Sequence, residues 1–242
     1  MNTNKSTPLP QSISIVMITL NEEKAVAKVV SDLRKIVGDS EIIIVDSSTD
    51  RTAEIADRLG CKVIKQVPPR GYGAAYHEGF RAATGDIVIT LDCDDTYPVE
   101  SIPILVKKIQ EGFDLVSASR LKTRPTNMPL ANYIANCVFA WSAYIVCGVK
   151  TTDVHTGMRA YRREMLQNFP YEPASMALAV ELYLGPARSN YRCTEIFIDY
   201  RERVGVSKLQ PIAGTIGTFR RIWKWRRFRS LDDIKATPGT II

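Results

Sequence analysis

The sequence lacks the features that would staple or lead out a small secreted domain. Its five cysteines, Cys61, Cys93, Cys137, Cys147 and Cys193, are odd in number and contain no C-x-x-C pair. That argues against a disulfide framework or a zinc ribbon and fits a reducing compartment. No signal peptide is expected: the first twelve residues are polar and contain proline, and the apolar run after them reads as a strand. There is no internal repeat and no low-complexity linker. Residues 125–149 carry no formal charge, and residues 205–230 carry no acid.

What is present describes a folded, near-neutral body with a basic end. Of 242 residues, 45% are hydrophobic and 24% charged, so wholesale disorder is excluded and a full core can be buried. The net charge is +6, yet seven bases fall between Gly205 and Ser230: Lys208, Arg220, Arg221, Lys224, Arg226, Arg227 and Arg229. Those seven account for the whole excess. The pattern argues against nucleic acid as the main partner and for a local anionic surface.

Strand and helix signals alternate through the first half. Strands are expected at 13–20, 41–46, 61–67, 86–91 and 114–119, with helices at 21–38, 48–60, 74–83 and 98–111. A further strand reads at 195–200. The strand runs are apolar on both faces, which predicts an α/β fold: a mostly parallel sheet with helices on both sides. Ligands in such folds bind beyond the carboxyl ends of the strands, where Asp46, Asp92, Asp94 and Arg120 fall. The uncharged stretch 125–149 is long enough to span a bilayer. Its two prolines and three asparagines favour instead a core helix or one lying in an interface.

Three motifs could carry chemistry. Asp92-Cys93-Asp94-Asp95 crowds carboxylates at a strand end. It reads either as a cap for the next helix or as oxygen ligands for Mg²⁺ or Mn²⁺, and the position in the fold favours the metal. Asp46 ends the EIIIVD strand beside Leu20-Asn21-Glu22; it reads as a turn residue or as an acceptor for a base or ribose. Asp50 reads as a helix cap. Arg70-Gly71-Tyr72-Gly73 leads into a helix, either as an ordinary turn or as a loop that lets backbone approach an anion.

The order VMITLNEE, EIIIVDSSTDRT, RGYGAAY, TLDCDD, TGMRAYRR and RVGVSKL resembles the family-2 glycosyltransferases. Within them it is most similar to the dolichol-phosphate mannose synthase and polyprenyl-phosphate glycosyltransferase branch. The resemblance covers roughly 12–209. It implies a GT-A fold, a nucleotide-diphosphate sugar donor, a divalent cation and inversion at the anomeric carbon. By resemblance Leu20, Asn21 and Glu22 contact nucleotide, Asp46 recognises the base, and Arg70 and Gly71 line the donor. Asp92 and Asp94 hold Mg²⁺ or Mn²⁺. Arg120 faces the acceptor phosphate, Gly157 and Arg159 form the G-x-R element, and Arg203, Ser207 and Lys208 close over phosphates. Glu181 aligns loosely with an acid below the acceptor site.

The chain departs from the family pattern at Ser47, where many members carry a second Asp, and at Asn132, where a second phosphate-binding Arg is expected. The Q-x-x-R-W of processive synthases is missing, which argues against polymerisation, and no transmembrane helix is evident after Leu209. A phosphate acceptor fits the residues, because it is already anionic near neutral pH and needs cations rather than a general base. Neither His77, inside a helix, nor His155 suits a base. Ile212, Ile216, Phe219 and Trp223 share a helical face among the bases, as in a segment lying on anionic lipid. The expected organisation is a catalytic domain over 1–209 and a basic amphipathic segment over 210–242. The expected partners are a nucleotide-diphosphate sugar, a polyprenyl phosphate and the cytoplasmic face of a membrane. The competing readings are a family-2 enzyme with a soluble saccharide or protein acceptor, and a sugar-phosphate nucleotidyltransferase. The latter is disfavoured because Thr19-Leu20-Asn21-Glu22 holds no glycine. A non-catalytic membrane scaffold on this fold is disfavoured by the intact Asp92 and Asp94.

Overall fold

The computed structural model describes residues 11–126, 128–172, 177–202 and 211–228. In chain order the elements are β1 (Ile13–Thr19), α1 (Val26–Val37), β2 (Glu41–Asp46), α2 (Thr52–Arg58), β3 (Lys62–Lys65), α3 (Tyr72–Ala82) and β4 (Ile87–Thr90). A 3₁₀ turn (Val99–Ser101) leads into α4 (Ile102–Gln110), followed by β5 (Leu115–Ser119), α5 (Leu130–Cys147), β6 (Arg159–Arg162) and α6 (Arg163–Asn168). The chain continues with α7 (Leu178–Arg188), β7 (Cys193–Phe197) and α8 (Pro211–Trp225).

The strands form one sheet in the order β3-β2-β1-β4-β6-β5-β7, parallel except for β6, which runs against both its neighbours. Successive residues of a strand point to opposite faces, and here both faces are apolar. Ile15, Met17, Ile42 and Ile44 pack with α1, α2 and α4, while Val16, Ile43 and Val45 pack with α3 and with α5–α8. Gly79 lets α3 lie close on β1: a Cβ there would sit 2.4 Å from Val16 Cγ1.

The sequence reading does not anticipate β6, because Arg159-Ala160-Tyr161-Arg162 looks polar. The fold tolerates it by pairing both guanidinium groups with carbonyls. Arg162 donates to Phe113 O (3.1 Å) and Ile109 O (2.9 Å). Arg159, 1% exposed, donates to Val154 O (3.0 Å) and Ala179 O. The last strand also begins two residues earlier than its apolar run suggests.

The uncharged stretch becomes α5, the one described helix long and apolar enough to cross a bilayer. One side of it packs against the body. Phe139, Ala140, Ala143 and Cys147 face inward, while Leu130, Ile134, Val138, Trp141 and Ile145 stand outward at helical spacing. α8 packs on α5 and α7. Ile222, Trp225 and Phe228 are its buried anchors, and Ile216, Phe219 and Trp223 face out. Among the described bases of this segment, Arg221 pairs with Glu172 (2.8 Å) and Glu181 (2.9 Å), and Lys224 pairs with Glu172.

Candidate active site

The parallel strands end on one rim. There the chain after β1 passes to β2 on one side, and the chain after β3 returns through α3 to β4 on the other side of β1, which opens a crevice. A cleft of about 340 Å³ occupies it. Thr19 at the end of β1 and Leu20 after it, Ser47 after β2, Asp92 and Asp94 after β4, and Gly71 and Tyr72 at the start of α3 all line it, with Glu22. Of the residues expected at the donor, Leu20, Glu22, Gly71, Asp92 and Asp94 are thus brought together. Gly71 has φ +100°, a conformation that favours glycine, and it delivers the N-terminus of the 11-residue α3 to the cleft.

Asn21, Asp46 and Arg70 do not line the cleft. Asp46 is buried behind its floor and accepts from Thr19 Oγ1 (2.6 Å), Ser48 Oγ (2.5 Å) and Ser48 N–H (3.2 Å). Asn21, at φ +56°, accepts from Thr49 N–H through Oδ1 (2.8 Å), and its own N–H donates to Ser48 Oγ (2.7 Å). These bonds clasp the loop after β1 to the loop after β2, so both residues shape the cleft wall. Asp50 is the helix-start residue expected, accepting from Thr52 N–H (3.0 Å). Arg70 is exposed.

The Asp92–Asp95 cluster separates into three environments. Asp95 pairs with Lys28 (2.8 Å). Asp94 is 1% exposed, and its Oδ1 accepts from Thr96 N–H (3.1 Å) and Thr96 Oγ1 (2.6 Å). Asp92 is half-buried beside Gly157, where a Cβ would lie 2.9 Å from its Oδ1. Gly157 therefore leaves the room that Asp92 occupies. Its N–H donates to Tyr97 Oη (2.7 Å), and its carbonyl accepts from Thr90 Oγ1 (2.7 Å). Burial, reinforced by the Asp92 carboxylate, pushes the Tyr72 and Tyr76 hydroxyls up, and burial does the same to Tyr97, so all three stay protonated around the acid.

Among the described residues no three His, Cys, Asp or Glu side chains form a closed metal cage. The donor set still suits a hard divalent ion. Mg²⁺-type sites commonly use one or two carboxylates and complete the shell with water and substrate phosphates. Asp92 and Asp94 in one cleft, facing a helix N-terminus, meet that requirement.

Arg120 lies just past β5, and its partner is a residue the sequence reading missed. Asp153, fully buried, accepts from Arg120 Nε (2.6 Å), Nη2 (2.9 Å) and backbone N–H (3.3 Å). Burial opposes the Asp153 charge, but Arg120 outweighs it and holds the carboxyl below the usual range. The Tyr200 ring lies 5.3 Å from the guanidinium carbon. The only sequence signal for Asp153 was its place just before the TGMR motif. His155 is structural: its Nε2 meets Thr218 Oγ1 of α8 (2.8 Å), and burial lowers its pKa to about 4, so it is neutral at pH 7. Arg159 of the G-x-R element braces β6 and does not line the cleft. Glu181 lies under α8 beside Arg221. Arg203, Ser207 and Lys208 fall outside the described residues.

Residues 14–169 match the family described as Glycosyl transferase family 2. A dolichyl-phosphate hexose transferase of Haloferax volcanii is 42% identical over 84% of this chain and 88% of its own length. An undecaprenyl-phosphate 4-deoxy-4-formamido-L-arabinose transferase of Pseudomonas paraeruginosa is 34% identical over 64% of this chain and 48% of its own. Among solved structures, glucosyl-3-phosphoglycerate synthase of Mycobacterium tuberculosis, bound to Mn²⁺, UDP-glucose and phosphoglyceric acid, superposes with a TM-score of 0.70. It shares 22% identity over 91% of this chain and 81% of that one. The chain therefore belongs to glycosyl transferase family 2, as its motif order implied, and is a glycosyltransferase of the GT-A fold.

Proposed function

We propose that this glycosyltransferase moves a hexose from a nucleotide-diphosphate sugar, of GDP-mannose or UDP-glucose type, to a polyprenyl phosphate at a membrane surface. The 42% identity to a dolichyl-phosphate hexose transferase supports the acceptor class. The observation that carries the reading is the outward apolar surface of α5 and α8. Trp141 is 64% and Trp223 56% exposed, and the two helices that carry them pack together, Phe139 on the inner side of α5 meeting Phe219 of α8 edge-on at 5.1 Å. Exposed apolar surface on this scale marks an interaction site. The bases beside it suit anionic headgroups: Arg220 is exposed, and Arg226 stacks on Trp223 at 3.7 Å. The buried side of α8 contacts the neighbourhood of Arg120, because Thr218 bonds His155, two residues from the Asp153 that holds Arg120.

In this reading residues 1–209 form the catalytic domain, and 210–242 fasten it to the cytoplasmic face of a membrane. Leu20, Glu22 and the Gly71 loop frame the donor. Asp92 and Asp94 would hold Mg²⁺ or Mn²⁺, which neutralises charge on the leaving diphosphate when bound. Arg120, kept rigid by Asp153, positions the acceptor phosphate, with Arg203 and Lys208 assigned to the same task. The acceptor oxygen attacks the anomeric carbon as the bond to the diphosphate breaks, giving inversion. No general base is needed, since a phosphate monoester is already ionised near pH 7. The test is a panel of nucleotide sugars with a short polyprenyl phosphate, read by the mass of the lipid product. Transfer only to a soluble acceptor would replace this reading with its competitor.

A further inference from the structure

A second concavity, of about 410 Å³, lies between the C-terminal half of α3 and the α6 region. His77, Arg81, Arg163, Gln167, Phe169 and Tyr171 are among its lining residues. It is remote from the donor cleft. α3 begins at the cleft with Gly71 and Tyr72, and Arg81 lies about nine residues further, or ~14 Å along the axis. Arg163 N–H donates to Asp86 O (3.0 Å) at the start of β4, whereas Asp92 follows the end of that strand.

The residues lining this pocket carry positive formal charge only, although the Asp86 carboxylate nearby feels the Arg163 charge. No carboxylate lines it, and neither Arg81 nor Arg163 forms an ion pair among the described residues. The nearby Asp86 carboxylate is engaged by Ser12 N–H (3.1 Å) and Ser12 Oγ (2.9 Å). The Nε–H of Arg163 is buried, with no acceptor among the described residues. Guanidinium N–H groups suit the oxygens of a bound oxyanion. His77 is fixed by its Nδ1 contact to Tyr171 Oη (3.1 Å), which leaves Nε2 for another partner. The rings of Phe80 and Tyr171 meet edge-on at 6.0 Å and supply an apolar wall.

We propose that this pocket is a binding site for a small phosphate monoester carrying a flat apolar group. The oxyanion sits on Arg81, Arg163 and His77, and the apolar part rests on the aromatic wall. Guanidinium pairs suit phosphate oxygens bidentately, and the ring wall adds contact that a bare anion cannot use.

The experiment is calorimetric titration of the full chain with phenyl phosphate, with benzoate, inorganic phosphate and benzyl alcohol as the other arms. Phenyl phosphate is expected to bind saturably in the millimolar range, and the other three more weakly. Arg81→Gln and Arg163→Gln should each weaken phenyl phosphate about tenfold, the loss of roughly one charge-assisted contact. Arg81 is exposed, so its variant keeps the test valid even if Arg163→Gln destabilises the fold. Wild-type affinity in Arg81→Gln, benzoate binding as tightly as phenyl phosphate, or no saturable binding at all would each overturn the proposal.

Discussion

Glu181 is where the structure makes its sharpest quantitative demand. The residue is 1% exposed beneath α8, and burial raises its pKa to about 7, only partly opposed by Arg221. The folded state therefore holds this proton more tightly than the unfolded chain, whose value is 4.5. A group raised on folding contributes stability that is complete below the unfolded pKa and lost as pH rises through the folded one. A pKa unit is worth 1.36 kcal/mol, so between pH 5 and pH 8 this one carboxyl removes about 2–3 kcal/mol. Glu181→Gln imitates the protonated side chain at every pH. It should match wild type at pH 5 and exceed it by about 2–3 kcal/mol at pH 8. Arg221 keeps Glu172 as a partner in that variant, which limits any compensating loss. Urea unfolding of both proteins at the two pH values measures this directly. Groups that titrate alike in both proteins, His155 among them, cancel in the double difference. Parallel pH profiles for the two proteins would show that Glu181 is charged in the fold and that the reasoning is wrong.

Four further outcomes are expected. Asp92→Asn and Asp94→Asn should each remove most turnover, and calorimetry with Mn²⁺ and nucleotide should show lost cation binding rather than lost folding. Gly157→Ala should also impair turnover, because the new Cβ would displace the Asp92 carboxylate it approaches to 2.9 Å; wild-type activity would show that the position of Asp92 is not critical. Arg120→Ala should impair acceptor use more than donor affinity. Asp153→Asn should do the same less severely, since its amide can still bond the guanidinium; equal loss of donor affinity would contradict both. Trp141→Glu with Trp223→Glu should release the protein from anionic vesicles. At about 1.5 kcal/mol or more per inserted side chain, partitioning should fall at least a hundredfold. Unchanged sedimentation would refute the membrane role.

The sequence by itself determined every strand of the sheet but β6, the two apolar faces and the rim at which chemistry would gather. Those properties follow from local periodicity: β-branched runs alternate with helical stripes, and acids fall where the strands stop. It also put Asp92, Asp94, Leu20, Glu22 and Gly71 near that rim, and the fold gathers them at one cleft, because each lies just beyond a strand or opens the helix that follows one. Tertiary structure alone decided which polar groups are spent internally. Asp46 and Asn21 are placed like ligands in sequence, and the fold also ties both to the neighbouring loop. Arg159, part of the G-x-R element in sequence, braces a strand across the core. Asp153 stands 33 residues from the Arg120 it clamps, and no local pattern reports such a distance. The same holds for α5 and α8. Composition announced an apolar stretch and a basic one, but only packing could show which side of each helix is buried. Burial is a property of what lies opposite, and that is fixed when distant segments meet.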